Sequence, residues 1–402
     1  MRIVQINSYS NGSTGHIANS IHKELLSQGH ESLFAYGNGP DIGQGGYRIG
    51  NRFDCFVHTV VTLITGLHGY SSVLSTYRLI KRIEEFKPDI IHLHNLHGSY
   101  LNLRVLFGYL KKSKIETVIT LHDCWLYTGK CYHYYEAKCD RYLHSCGNCT
   151  QLSMYPKSYY FDRTKKMLRD KKKWIGQLDH LHVITISDWS QGQAEETFLG
   201  EYPIHTIKNG INPGFGQTCE VDSALSAMVG DRFIILGVAS SWNAHKGIYD
   251  FIKLAQMLSE DEVIVLVGQI SEEIELPDNI ISAGSKQSVE ALALIYNTAG
   301  VYVNMSTEET FGLVTAEAMA CGAPCILYGA TACPEMIEGG KNGYIAAPHD
   351  MSQVYAHIQS VKNTASFDRT EISRKAREKY SARRMVSEYL TAYRGILNEN
   401  HK

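Results

Sequence analysis

Apolar runs rich in β-branched residues alternate with helical stretches along this chain, and that alternation restricts the fold more than any other feature. Runs at residues 3–6, 32–36, 90–94, 117–121 and 183–186 are separated by segments of helical period. After the turns Asn209-Gly210 and Pro213-Gly214 the pattern restarts with runs at 233–238, 263–267, 301–304 and 324–327. Such alternation calls for parallel sheets covered by helices, and 402 residues exceed what one hydrophobic core usually serves. The expected class is therefore α/β, with Rossmann-like parallel-sheet domains at 1–200 and 201–375. A final helical segment at 376–402 carries apolar spacing at Met385, Tyr389 and Tyr393. The sequence holds no short repeat or low-complexity tract, which excludes solenoids and disordered tails.

Composition narrows the classes further. The formal net charge of −2 hides an asymmetry: residues 1–200 carry 23 Lys+Arg against 17 Asp+Glu, and the remainder 16 against 24. A basic first half suits an anionic ligand or a membrane surface, although ordinary solvated charge explains it equally well. Residues 1–6 read as a strand, without the apolar core and cleavage site of a signal peptide, so a cytoplasmic location is expected. The most apolar window, residues 57–74, is broken by His58, Gly66, His68 and Gly69 and falls short of the about 20 apolar residues that span a bilayer. Ten cysteines in such a chain are expected to be reduced thiols or metal ligands rather than a disulfide framework.

Open parallel sheets bind ligands beyond the carboxyl ends of their strands, so the residues following each run are the informative ones. Between the runs at 301–304 and 324–327 stand Glu309-Thr310-Phe311-Gly312-Leu313 and Glu317-Ala318-Met319-Ala320-Cys321-Gly322-Ala323-Pro324. A helix starting near Gly312 places Glu317 inside it and Glu309 in the loop before it. The amides of Phe311, Gly312 and Leu313 would then sit at a helix N-terminus, where orphan donors and the dipole suit a diphosphate. The plain alternative for Glu317 is a solvated helix residue, but an ionised carboxylate beside Ala316, Ala318 and Met319 needs a partner. Lys246-Gly247 follows the run at 233–238, where a lysine would neutralise a departing phosphate; most lysines are merely solvated. Near the start, Asn11-Gly12-Ser13-Thr14-Gly15-His16 joins the first strand to a helix expected from about Ile17, and Gly15 in such a loop lets backbone approach a phosphate or sugar. The loop lacks the Gly-x-Gly-x-x-Gly fingerprint, which disfavours a nicotinamide dehydrogenase.

Residues 309–324 resemble the Glu-x7-Glu signature of the family-four retaining glycosyltransferases, and the likeness extends to Gly339 and Gly343-Tyr344 and, less strongly, over nearly the whole chain. The resemblance implies a GT-B fold, two Rossmann-like domains facing a central cleft, with the final helix at 376–402 crossing back to the first domain. It gives Glu309 the donor-sugar hydroxyls, Glu317 the nucleotide ribose, Lys246 the diphosphate and Gly15 a place facing the donor. In that family an Arg usually precedes the Lys; residues 238–245 hold none, which leaves Trp242, Asn243 or the amides of 311–313 for the second phosphate charge. Two strand ends carry histidines, His92-Leu93-His94-Asn95 and His122-Asp123. Period two puts His92 and His94 on one face of the sheet, His92 being expected as a satisfied core histidine. The family has a histidine at the position of His122 that approaches the transferred sugar, and Asp123 is expected to orient it; His94 and Asp123 fall on the acceptor side. Retention there is attributed to a front-face reaction that needs no protein nucleophile, no divalent ion and no other cofactor.

Residues 120–149 resemble a branch of this family associated with capsular and exopolysaccharide assembly. Within them Cys131, Cys139, Cys146 and Cys149 are candidate ligands of a tetrahedral structural zinc, although seven residues intervene between the first pair rather than two to four. The basic run at 163–174, with Met167, Leu168, Trp174 and the adjoining Ile175, reads as a surface for anionic headgroups or a lipid diphosphate, or as a solvated helix face. The partners so implied are a nucleotide diphosphate sugar, a lipid-linked saccharide acceptor and a peripheral contact with the inner membrane face, with no nucleic acid. A catalytically silent nucleotide-sugar-binding subunit and a nucleotide-sugar 2-epimerase are the alternatives.

Overall fold

The structure is a computed structural model that describes residues 1–286, 288–363 and 367–399; residues 400–402 of the expected last segment lie outside them. The chain divides into two compact units, Met1–Lys208 with Val386–Lys402, and Asn209–Met385.

The first unit holds seven strands: β1 (Arg2–Tyr9), β2 (Glu31–Asn38), β3 (Gly46–Arg48), β4 (Ile90–Leu93), β5 (Glu116–Leu121), β6 (Leu181–Thr185) and β7 (Ile204–Thr206). They form one sheet in the order β3-β2-β1-β4-β5-β6-β7, with every pairing parallel. The second unit holds β8 (Phe233–Ser241), β9 (Glu262–Gln269), β10 (Ile280–Gly284), β11 (Val301–Asn304), β12 (Cys325–Tyr328) and β13 (Gly343–Ala346), parallel throughout in the order β10-β9-β8-β11-β12-β13. Central strands such as β4 and β11 are buried along their whole length, because crossover helices cover both faces of a parallel sheet. Every apolar run read from the sequence forms a strand.

Each sheet changes direction once. In the first unit the chain builds outward from β1 through β2 to β3, then restarts on the other side with β4; in the second it goes from β8 through β9 to β10 and restarts with β11. The loops leaving β1 and β4, and those leaving β8 and β11, therefore flank the points where strand order reverses, which is where open α/β sheets take ligands.

The last helix, Ala382–Glu399, belongs to the first unit from Val386 onward. It buries Tyr389 and Tyr393 there, the Tyr393 hydroxyl lying 2.6 Å from Nδ1 of His92 and the Tyr389 hydroxyl 3.1 Å from Oγ1 of Thr120. In the helix Thr164–Ile175 that carries the basic run, Met167, Leu168, Ile175 and Lys171 are buried, so its apolar spacing is a core stripe and leaves no apolar face for headgroups, while Lys165, Arg169 and Lys173 are exposed as on a solvated helix face. Among the described residues no helix is long and apolar enough to cross a membrane.

Candidate functional site

In the second unit, the loop after β8 turns through Asn243, whose Oδ1 accepts the Lys246 amide at 3.1 Å, and then through Gly247 at φ +80° into the helix Ile248–Ala255. Gly247 has to be glycine: a Cβ there would stand 2.6 Å from the Met305 carbonyl oxygen, and the positive φ disfavours any L side chain. The loop after β11 is bolted to this turn. The Thr307 amide and the Ser306 hydroxyl both donate to the His245 carbonyl, at 3.1 and 3.2 Å. On its other side the Glu309 amide donates to Thr331 Oγ1 at 2.9 Å, and the Ala332 amide to the Glu309 carbonyl at 3.1 Å. The two loops so clamped bring Lys246 Nζ to 2.6 Å from Glu309 Oε1. A cation and a carboxylate from two loops thus meet at the β8/β11 reversal.

Gly312 (φ +95°) ends the second loop and caps the helix Leu313–Ala320, so the amides of Phe311, Gly312 and Leu313 stand at its start. Inside that helix Glu317 is half-buried among buried Ala316 and Ala318, and burial pushes its carboxyl up to about 8 against the opposing effect of the Tyr296 hydroxyl, which lies 3.3 Å from Oε2. Glu317 is therefore mostly protonated at neutral pH, ready to exchange hydrogen bonds with a neutral polyol. Tyr296, from the helix Val289–Thr298, escapes sequence reasoning, since one tyrosine on a helix carries no local signal. Of the two side chains considered for the second phosphate, Trp242 is otherwise engaged: it is buried, its Nε1 donating to the Val267 carbonyl at 3.0 Å. Asn243 uses its side-chain oxygen to cap the turn.

In the first unit, the helix after β1 spans Gly12–Ser27 and so begins five residues before Ile17. Ser13 and Thr14 are tolerated in a first turn, where amides need no intrahelical acceptor. Gly15 is consequently buried in that turn rather than in a loop, and a Cβ on it would meet Tyr9 O at 2.9 Å and Ser10 C at 2.8 Å. Its glycine is demanded by packing on the end of β1; Gly12, at φ +72°, supplies the bend.

Beyond β4 and β5 the histidines stack. His92 is a satisfied core residue between Tyr393 and Thr120. His94 Nδ1 lies 3.0 Å from His122 Nε2 and its Nε2 lies 3.1 Å from Gln5 Oε1, with the two rings nearly parallel at 5.3 Å. Burial holds both imidazoles down, His94 far below its ordinary value and His122 to about 4, so this pair is neutral at physiological pH. Asp123 does not orient His122. Its Oδ2 lies 2.7 Å from His97 Nε2 and its Oδ1 accepts the Trp125 amide at 2.8 Å. Burial works to raise the Asp123 carboxyl, but His97 and that amide outweigh it and hold the carboxyl below its ordinary value. His97, whose other nitrogen lies 3.3 Å from the Tyr155 hydroxyl, was missed because it lies beyond the strand end, at irregular spacing from His94.

Cys131, Cys139, Cys146 and Cys149 line one cavity and are free thiols. A hydrogen bond joins the Cys131 and Cys149 thiols and holds Cys149 below its ordinary value. Among the described residues the four sulfurs do not gather within 4.8 Å of one another, so a zinc ion with bonds of about 2.3 Å would have to draw them together.

The profile for Glycosyltransferase Family 4 matches residues 14–215, and that for Glycosyl transferases group 1 matches residues 227–379. A candidate colanic acid biosynthesis glycosyl transferase of Escherichia coli K12, WcaC, is 24% identical over 98% of this chain and 100% of its own length. Among solved structures, sucrose-phosphate synthase from Thermosynechococcus elongatus superposes with a TM-score of 0.71 at 16% identity, covering 99% of both chains. Anabaena HepE in complex with UDP does so with a TM-score of 0.65 at 15% identity, covering 98% of this chain and 100% of that one.

Proposed function

The chain belongs to glycosyltransferase family 4 and has the GT-B fold, and on that premise we propose that it is a retaining enzyme that moves a sugar from a nucleoside diphosphate sugar to a lipid-linked saccharide in surface polysaccharide assembly. The observation that carries the reading is the Lys246–Glu309 pair at the β8/β11 reversal, beside a helix N-terminus.

In this reading the donor's diphosphate takes Lys246 from Glu309, which then turns its carboxylate to the sugar hydroxyls. As the glycosidic bond breaks, negative charge grows on the leaving phosphate, and Lys246 with the amides of Phe311, Gly312 and Leu313 stabilises it; that arrangement needs no divalent ion. Glu317 accepts hydrogen bonds from the ribose diol. The neutral His122 offers a hydrogen bond to the transferred sugar without adding charge, and His94 fixes its orientation. His94 and the His97–Asp123 pair serve the acceptor side. The nucleoside diphosphate leaves from the face the acceptor enters, its phosphate taking the proton of the acceptor hydroxyl as that oxygen bonds the anomeric carbon, so the anomeric configuration is retained. Similarity to WcaC along the whole chain supports an exopolysaccharide acceptor, and the UDP held by HepE supports a nucleotide in this fold.

The anomeric configuration of the product, followed by NMR during turnover in excess chelator, tests the mechanism. Retention with undiminished rate is expected; an inverted product, or a rate restored only by added metal, contradicts it. Donor consumed without acceptor, with a new sugar epimer as product, would identify the 2-epimerase instead.

A further inference from the structure

The helix Arg52–Thr65 of the first unit is built inside out. Its buried side chains are polar: His58 lies 2.8 Å from Ser72 Oγ through Nδ1 and accepts the Gly69 amide at 3.1 Å through Nε2, while the Thr62 hydroxyl donates to the His58 carbonyl at 2.9 Å. Its exposed face is an apolar stripe at helical spacing, Phe53, Phe56, Val57 and Ile64, with Phe53 71% and Phe56 64% exposed. A helix that faced only water and core would have the opposite polarity.

Two neighbours extend this surface. Asp54 Oδ2 accepts the Ser75 hydroxyl at 3.0 Å, tying the stripe to the helix Val73–Phe86, whose first turns expose Leu74 and Tyr77. The Tyr159 amide donates to the Leu63 carbonyl at 3.0 Å, which brings exposed Tyr159, Tyr160 and Phe161 alongside the other end. Exposed cations rim the patch: Arg52, Arg78, Lys157, and Arg163, whose guanidinium lies 5.2 Å from the Phe161 ring centroid. The nearby acids are engaged locally, Asp54 in the capping box of its own helix and Asp162 by the Cys149 and Thr164 amides.

We propose that this surface docks on an anionic phospholipid bilayer, the helix Arg52–Thr65 lying in the headgroup layer with its stripe toward the acyl chains. The helix is too short to span, and apolar stripe, interfacial aromatics and cationic rim are what a surface-lying anchor requires. A second copy fits less well, because a two-fold interface through this patch sets the same cationic rim against itself. The inference deepens the reading of a lipid-linked acceptor, but its test needs no donor and no turnover.

The full-length protein is sedimented with vesicles of phosphatidylcholine, with and without phosphatidylglycerol. Binding to the phosphatidylglycerol vesicles is expected, weakened about tenfold or more by Phe53→Ser with Phe56→Ser, and losing its lipid-charge dependence with Lys157→Glu and Arg163→Glu. Because the inward bonds of His58 are untouched, both variants should melt at the native temperature. Equal sedimentation of native and variant proteins overturns the proposal. So does a native dimer that the serine variant dissolves while vesicle binding is unchanged. Vesicle binding as expected without any sugar transfer would leave the docking surface standing and remove the transferase reading alone.

Discussion

Replacing Glu317 with glutamine should make the chain more stable above neutral pH and poorer at holding nucleotide. Burial raises the Glu317 carboxyl from 4.5 to about 8 in the folded chain. Between those values the folded state binds a proton that the unfolded state releases, so stability falls as pH rises through the window and is lowest above the folded value. The loss accumulates to about 3 kcal/mol by pH 7 and about 5 kcal/mol by pH 9 when the whole shift is realised, and local water entry reduces it. Glutamine keeps the shape and carries no titrating proton. Urea unfolding of native and Glu317→Gln chains from pH 4.5 to 9 should therefore give curves that meet at the acid end and diverge by about 2–4 kcal/mol at the alkaline end, the variant being the more stable. The same variant should bind nucleoside diphosphate about tenfold more weakly, because the glutamine amide offers one acceptor and one donor, whereas the Glu317 carboxyl can give up its proton and accept from both ribose hydroxyls. Parallel stability curves would refute the claim that partial burial raises the Glu317 carboxyl, and unchanged nucleotide affinity would refute its assignment to the ribose.

Asp123→Asn and His97→Ala should each lower transfer and be non-additive in a double-mutant cycle, with a coupling of about 1–3 kcal/mol in kcat/KM, whereas Asp123→Asn and His122→Ala should add; additivity in the first pair would break the His97–Asp123 unit. Gly247→Ala should cost about 2 kcal/mol or more in thermal or urea unfolding, since its Cβ meets the Met305 carbonyl at a positive φ, and a variant as stable as native would show that the loop yields there. Trp242→Phe should lose about 1 kcal/mol of stability with the buried bond to Val267 while donor affinity measured by calorimetry stays the same; weaker donor binding without destabilisation would restore Trp242 as a phosphate ligand.

Much of this was legible in the chain. The buried strands announce themselves as continuous β-branched runs because both faces of a parallel sheet are covered. The edge strands β3, β7, β10 and β13 do not: Gly46-Tyr47-Arg48 and Ile204-His205-Thr206 are short and half-exposed, and only pairing to a neighbour makes them strands. Glu309, Gly312 and Lys246 could be read because a helix start and a strand end have local signatures. The partner of Asp123 could not, since His97 reaches it only through the path of the loop after β4. The helix Arg52–Thr65 shows a further limit. Its apolar period is plain, but periodicity says only that one face is apolar, and which face turns to the core was settled here by His58 and Thr62 finding polar partners inside.

The central claim is that Lys246 and Glu309 form the donor site of a sugar transferase. The most direct measurement is nucleoside diphosphate released from a panel of nucleotide sugars in the presence of a membrane-lipid extract, for the native chain and for Glu309→Ala. Release from one donor that needs the lipid extract and is abolished by the substitution is the predicted result. Donor binding with no release from any nucleotide sugar, or release that survives Glu309→Ala, would contradict the account and favour a subunit that binds nucleotide sugar without transferring it.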